Sequence, residues 1–333
     1  MTQKKVVTFG EIMMRLSTPG FGRFTQATNF NIVYGGSEAN VVVSLANFGL
    51  ATAHVTRFPD NDFGRSATQQ LQRFGVDTQH IVYGTERMGV YFLENGPMQR
   101  SSKIIYDRFD SAFAHIKPGM IDWNAVMSEA SWFHWTGITP AISQGAADVC
   151  HEALLSAKKN NVRISGDINY RRNLWQYGKT AREVMPALIE MTDYIVAGVT
   201  DFENCLGITG EDYNSACKKV CKALPGVKKI SSTKRDSVSS SHNKLSGMIW
   251  DGKNLLHSKT YDLTPIVDRV GGGDAFMAGL IYSWMKNKND LETIEFAVAA
   301  SAWKHGIEGD VNLASTEEIE TFVKGENVGK LLR

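Results

Sequence analysis

Much is excluded by what the 333-residue sequence does not contain. No window approaches the ~18 apolar residues that span a bilayer, so a membrane protein is not expected. Met1-Thr2-Gln3-Lys4-Lys5-Val6 runs into a strand pattern without the apolar stretch and small-residue cleavage site of a signal peptide. Cys150, Cys205, Cys217 and Cys221 form no C-x-x-C pair and no zinc-like cluster with histidine. Cys217 and Cys221, four apart in a helical-looking segment, read as small, semi-buried residues. A reduced, cytoplasmic protein is expected. Charge of one sign is also missing: Lys+Arg 36 against Asp+Glu 35 leave a net charge of +1, with no like-charge run. No global field favours nucleic acid or an anionic membrane, so an anion site has to be built from a few placed groups. Repeats, low-complexity tracts and long linkers are absent as well. The first strand, residues 6–9, ends at Gly10-Glu11-Ile12-Met13-Met14-Arg15 where a dinucleotide fold has G-x-G-x-x-G, which counts against a dehydrogenase.

What is present converges on Val270-Gly271-Gly272-Gly273-Asp274-Ala275-Phe276. Downstream, Phe276, Met277, Leu280, Ile281, Trp284 and Met285 recur at helical spacing, which puts Asp274 at or just inside a helix start. First-turn N–H groups have no intrahelical partner, and the helix dipole adds partial positive charge there. Glycines admit an anion close to that backbone. A carboxylate beside such an anion hole is repelled by the anion, and makes sense if it takes a proton from a nucleophile attacking that anion. Phosphoryl transfer to an alcohol, with Asp274 as base, is the chemistry that fits. The glycines alone leave open a plain glycine-rich turn with an acid in the first helical turn.

Hydrophobic content of 43% with 21% charged residues is ordinary for a globular protein. Gly35-Gly36-Ser37-Glu38-Ala39-Asn40 opens a helix of small residues; it is either a ligand approach or a strand-to-helix turn. Residues 88–94 and 103–109 are β-rich around Asn95-Gly96-Pro97, which predicts an antiparallel hairpin. With the aromatic, aperiodic residues 20–34 it is expected to form a small sheet, its strands within 16–34 and 87–110, poised as a lid. From about residue 130 strands and helices alternate, the mark of a mostly parallel sheet with helices on both faces. Residues 237–258 look antiparallel. One α/β domain over 1–333, with the lid strands inserted, is the expectation.

These residues resemble the ribokinase-like (PfkB) family of carbohydrate kinases, nearly end to end. Gly35-Gly36-Ser37-Glu38-Ala39-Asn40 is similar to its N-terminal glycine motif. Val267-Asp268-Arg269-Val270-Gly271-Gly272-Gly273-Asp274-Ala275-Phe276-Met277-Ala278-Gly279 is similar to its C-terminal signature. Within the family the pattern most resembles members acting on 2-keto-3-deoxygluconate, through Gly89-Val90-Tyr91-Phe92, Ile105-Tyr106-Asp107-Arg108, Asp167-Ile168-Asn169-Tyr170-Arg171, Asp201-Phe202-Glu203 and Gly309-Asp310-Val311-Asn312-Leu313.

The resemblance implies a ribokinase-like fold: a mostly parallel central sheet flanked by helices, with a small β-lid. It implies ATP- and Mg2+-dependent phosphorylation of 2-keto-3-deoxygluconate at its terminal hydroxyl. Asp274 is then the base, and the amides of Gly271, Gly272 and Gly273 form the anion hole. Gly35, Gly36 and Asn40 contact substrate hydroxyls; Tyr91, Tyr106, Arg108 and Arg171 hold the acid end and the open chain. Asp201, Thr233 and Lys234 fall on the nucleotide side, with Gly271 and Gly273. A planar guanidinium binds a carboxylate through two parallel charge-assisted hydrogen bonds, which suits arginines to a sugar acid. A surface salt bridge stays open as the other reading of either arginine, and packing within the lid as that of either tyrosine.

Departures from the family fall on the nucleotide side. Many members carry N-x-x-E before a helix; here the aligned residues are Gly198-Val199-Thr200-Asp201, without the Asn and with Glu shortened to Asp. Asp201 acting through water is compatible with magnesium, which keeps several waters. Arg269 replaces a small or hydroxyl residue, and the usual glycine-containing nucleotide loop reads Ser232-Thr233-Lys234-Arg235-Asp236. Lys234 or Arg235 there either meets phosphates or faces solvent. Metal ligands stay unassigned, and a monovalent cation near Gly309-Asp310 is left open. The competing functions are a kinase of the same fold for fructose or another keto-acid, and a non-catalytic sugar-acid or nucleotide sensor. A sheet face exposed on the lid is a natural self-contact, so a homo-oligomer is expected.

Overall fold

The computed structural model describes residues 4–326, so the expectations for Met1, Thr2 and Gln3 and for residues 327–333 lie outside the described residues. The strand Lys5–Phe9 buries four of its five residues, as a strand covered on both faces should. It pairs in parallel with Thr52–Val55 on one side and Ala130–Thr136 on the other. Beyond the latter come Arg163–Asp167, Tyr194–Val196 and Lys229–Ser239, all parallel. His242–Trp250 adds in antiparallel sense and itself pairs Leu255–His257 and Tyr261–Leu263. The mostly parallel sheet expected from the alternating pattern is therefore present.

Helices cover both faces. Gln144–Lys159 and Ala181–Glu190 bury Ala153, Leu154, Met185 and Leu188 in one apolar cluster. Ser37–Asn47, Gly272–Met285 and Asp290–Lys304 bury Val41, Leu45, Met277, Leu280 and Ala297 in the other. Each large apolar side chain so buried stabilises by roughly 1.5–3 kcal/mol. The helices Gly272–Met285 and Asp290–Lys304 approach closely: a Cβ on Gly279 would stand 2.6 Å from Ala297 Cα.

The order of strands positions the site. From Lys5–Phe9 the chain steps outward to Thr52–Val55, then returns on the opposite side at Ala130–Thr136. Connections leaving in opposite directions open a crevice at the carboxyl ends of these strands, where open α/β sheets bind ligands.

The small sheet runs in the order Asn31–Gly35, Met13–Ser17, Val90–Glu94, Lys103–Asp107. Val90–Glu94 and Lys103–Asp107 form the antiparallel hairpin the sequence predicted. The sheet's first strand begins at Met13, earlier than residue 16. Side chains alternate across the sheet. One face carries Arg15, Tyr91 and Tyr106 in a single cross-strand row. The other face carries Ile32, Leu16, Phe92 and Ile105 in the next row.

Two further segments differ from the sequence reading. Lys229–Ser239 continues as a strand through Thr233, Lys234, Arg235 and Asp236, where a loop was expected. Its backbone is paired register by register with His242–Trp250, which overrides the polar composition. A further helix, Thr316–Lys324, which the sequence reading did not mark, follows Asp290–Lys304; Ser315 and Glu318 close a capping box at its start.

Candidate active site

Gly271 caps the helix Gly272–Met285 with φ of 81°, a left-handed conformation that side chains disfavour. A Cβ on Gly273 would meet no atom within 4 Å, so the first turn faces open space. Gly272 turns the other way: a Cβ there would lie 2.6 Å from the His305 ring. Asp274 occupies this turn. Its Oδ1 accepts a 2.6 Å bond from Ser37 Oγ, and its Oδ2 a 2.7 Å bond from Asn40 Nδ2.

Ser37 and Asn40 stand in the first turn of Ser37–Asn47, whose cap is Gly36. A side chain at Gly36 would collide with the Glu11 carbonyl, and one at Gly35 with the Asp310 carboxylate. The two glycine motifs, distant in sequence, therefore face one another. Desolvation pushes the Asp274 carboxyl up to about 6; the Ser37 and Asn40 bonds oppose this, Asp310 adds to it and Lys304 opposes it.

These groups line one cleft of about 410 Å³, within the range of small-ligand pockets. Gly35, Gly36, Asn40, Gly271, Gly273 and Asp274 form its floor, and Tyr91, Tyr106, Arg108 and Arg171 also line it. Tyr91 is buried and donates its hydroxyl to Asp310, while Tyr106 is 51% exposed with its ring 5.8 Å from that of Tyr91. Arg108 arrives already paired: its Nε donates to Glu11 Oε2 at 2.8 Å, and Ser111 Oγ donates to the other Glu11 oxygen at 2.5 Å. Arg171 and Arg235 line the cleft without an ion-pair partner among the described residues. Arg269, also on the wall, donates to the carbonyls of Ser239 and Ser240 at 2.8 and 3.0 Å.

Three expected nucleotide-side residues are not on this wall. Asp201 Oδ1 accepts the Tyr170 N–H at 2.9 Å and its Oδ2 the Gly198 N–H at 2.7 Å, so it ties two strand-end loops together. Thr233 is half-buried and Lys234 exposed on the strand Lys229–Ser239, Lys234 lying 3.9 Å from Asp236. Their neighbour Arg235 is the residue of that strand that reaches the cleft.

Residues the sequence reading did not single out complete the site. Ser37 and Glu38 lay inside the N-terminal motif, and their hydrogen-bonding capacity was the available signal. Glu38 is buried, with Oε1 accepting from Thr136 Oγ1 and Thr139 Oγ1, both at 2.8 Å. Burial pushes its carboxyl up to about 7, against those bonds. Asp167 ends the strand Arg163–Asp167 at the cleft wall. Burial, then Asp201 and Asp274, hold its carboxyl well above the usual range, with Arg171 opposing. Arg15 gave no sequence signal at all. It is buried and donates to Asp310 Oδ1 and Asp268 Oδ2, both at 2.6 Å, joining the small sheet to the glycine loop.

A held carboxylate, a glycine-capped helix start and a cleft at the sheet's switch point are the parts of a phosphotransferase that acts on hydroxyl groups. The chain belongs to the pfkB family of carbohydrate kinases, which matches residues 3–316. It is 40% identical to the crystal structure of 2-dehydro-3-deoxygluconokinase from Thermotoga maritima, with a TM-score of 0.93 over 97% of this chain and 100% of that one. It is 27% identical over 325 residues to 2-dehydro-3-deoxygalactonokinase of Haloferax volcanii, covering 98% of each. The 2-dehydro-3-deoxygluconokinase of Thermoproteus tenax is also 27% identical, over 323 residues, covering 96% of this chain and 94% of that one. Among the described residues no helix is long and apolar enough to cross a membrane.

Proposed function

We propose that this sugar kinase transfers the γ-phosphate of ATP to the terminal hydroxyl of 2-keto-3-deoxygluconate (2-dehydro-3-deoxygluconate), giving the 6-phosphate. The observation that carries the reading is the Asp274 carboxylate, held at both oxygens beside an open glycine-capped helix start. Arg171, on the same cleft without an ion-pair partner among the described residues, favours an anionic sugar over a neutral one. The names of the relatives from Thermotoga maritima and Thermoproteus tenax support the same substrate.

Asp274, ionised above about pH 6, accepts the proton of the attacking hydroxyl. The amides of Gly271, Gly272 and Gly273 receive the charge that develops on the transferred group. Gly35, Gly36 and Asn40 face the sugar hydroxyls, and Tyr91, Tyr106 and Arg108 shape the acid end. Arg171 supplies the carboxylate's bidentate partner, because Arg108 is committed to Glu11. On the nucleotide side Arg235 meets the phosphates, with Thr233 and Lys234 beside it, and Asp201 fixes the loop behind Asp167. ATP brings Mg2+, which neutralises phosphate charge when bound. Asp167 would be its protein holder, since no donor among the described residues bonds to its carboxylate and Asp201 and Asp274 add negative charge there, against Arg171.

The test is ATP consumption with 2-keto-3-deoxygluconate, its C4 epimer, fructose, ribose and gluconate. The expected preference for the keto-acid over fructose is at least about a hundredfold in kcat/KM, because the cleft arginine that pairs with the carboxylate loses its partner with a neutral sugar. Turnover of a neutral sugar with none of the keto-acids contradicts the substrate. ATP binding without consumption, whatever the sugar, supports a sensor instead. The Haloferax volcanii relative's name makes the epimer the second reading, and the same panel ranks it.

We further propose a homo-oligomer closed through the outer row of the small sheet, where Ile32 and Ile105 are 55% and 54% exposed. A monomer mass in sedimentation at micromolar concentration contradicts it. With ATP as donor and four free cysteines, the cytoplasm is the compartment proposed.

A further inference from the structure

Lys304 ends the helix Asp290–Lys304 and is fully buried. Interiors almost never hold a lysine this way without a charged partner nearby. Its Nζ donates to the Ile307 carbonyl at 3.0 Å, its one acceptor among the described residues. Its Cε lies 3.4 Å from where a Cβ of Gly271 would stand, so the side chain packs directly behind the glycine loop. Burial draws the Lys304 ammonium below the ordinary lysine range; Asp268, Asp310 and Asp274, on other segments, favour its charge, Arg15 opposes it, and His305 follows it in the chain.

The charges around it do not balance without it. Arg15 bonds one oxygen of Asp268 and one of Asp310, a single positive charge between two negative ones. Both carboxylate residues also touch the loop: Asp268 Oδ1 accepts the Val270 N–H at 3.0 Å, and the Asp310 carbonyl abuts Gly271. A net negative charge there repels the phosphate the loop is built to receive, and repels an ionised Asp274. We propose that Lys304 is the internal cation of the active site, a positioning residue whose ammonium balances Asp268 and Asp310 behind the glycine loop and keeps Asp274 available as a base at neutral pH. The inference rests on the reading of Asp274 as base.

Lys304→Met keeps much of the volume and removes the charge. Burial and Asp310 then raise the Asp274 carboxyl without Lys304 to oppose them, so its proton is held more tightly. The expected result is a kcat lower by about tenfold at pH 7, with the acid limb of the kcat profile moved up by about one pH unit. KM for the sugar changes by less than about twofold, since Lys304 does not touch the cleft. An unmoved acid limb with parental kcat overturns the proposal. Lys304→Ala covers the case of a methionine variant that does not fold: added methylammonium is expected to restore rate, and a restored circular dichroism spectrum without restored rate overturns the proposal. The parent enzyme is the control, because a parent that phosphorylates no sugar defeats the kinase reading, whereas an active parent matched by Lys304→Met defeats this inference alone.

Discussion

At the scale of single residues, the base we propose, Asp274, suits the role because two hydrogen bonds aim it while desolvation weakens its acidity. A carboxyl lifted to about 6 is ionised at neutral pH yet basic enough to share a proton in flight. Activity should therefore fall as pH drops through about 6, close to tenfold per unit below it. Asp274→Asn keeps the shape and the Ser37 bond but accepts no proton; kcat should fall by about 10³-fold or more, with KM little changed, in a steady-state ADP-release assay. The same variant should be the more stable one at neutral pH. A carboxyl raised in the folded state stabilises below its unfolded value and loses that contribution as pH rises through about 6. Asp274→Asn should thus melt above the parent at pH 8 and near it at pH 4, and a lower melting point at pH 8 contradicts this. Asp274 could be read from sequence because its glycines are its neighbours. Ser37 could not, since its partner lies 237 residues away.

At the scale of elements, sequence legibility followed how local the causes were. The strand Lys5–Phe9 announced itself as an apolar run, and the helix Gly272–Met285 by its spacing from Phe276 onward; the parallel strand Thr52–Val55, short and interrupted by Thr52 and His54, did not. The strand Met13–Ser17 did not, because Arg15 interrupts its apolar pattern and is compensated by Asp268 and Asp310, 253 and 295 residues on. The strand Lys229–Ser239 was legible over its first four residues, but its continuation from Thr233 was hidden by polar and charged residues; its partner strand reveals it. Arg108 was legible as a cleft residue, but its neutralisation by Glu11 was not. The Arg15 pairs give this scale its prediction. Arg15→Met removes the hydrogen-bonded partner of two buried carboxylates, leaving Lys304 as the one cation behind them, and should cost about 3–5 kcal/mol in urea unfolding. A loss under about 1 kcal/mol would mean that the contacts are not coupled to the fold.

At the scale of the whole molecule, the sheet's switch point, two helix starts and the small sheet meet over one cleft. The small sheet supplies Tyr91, Tyr106 and Arg15 from one face and offers apolar residues on the other. We read it as a lid whose closure excludes water from the transferring phosphate. If so, ATP hydrolysis without sugar should stay below about one per cent of the rate with sugar. The proposed reaction forms one bond, phosphorus to the terminal oxygen of a six-carbon keto-acid, and breaks the one between the γ-phosphorus and ADP. Phosphorus NMR of the product formed from ATP and 2-keto-3-deoxygluconate observes that bond directly. A phosphomonoester resonance split into a triplet by the two protons on C6 is the predicted result. A doublet from ester formation at a secondary hydroxyl, or inorganic phosphate alone, would contradict it.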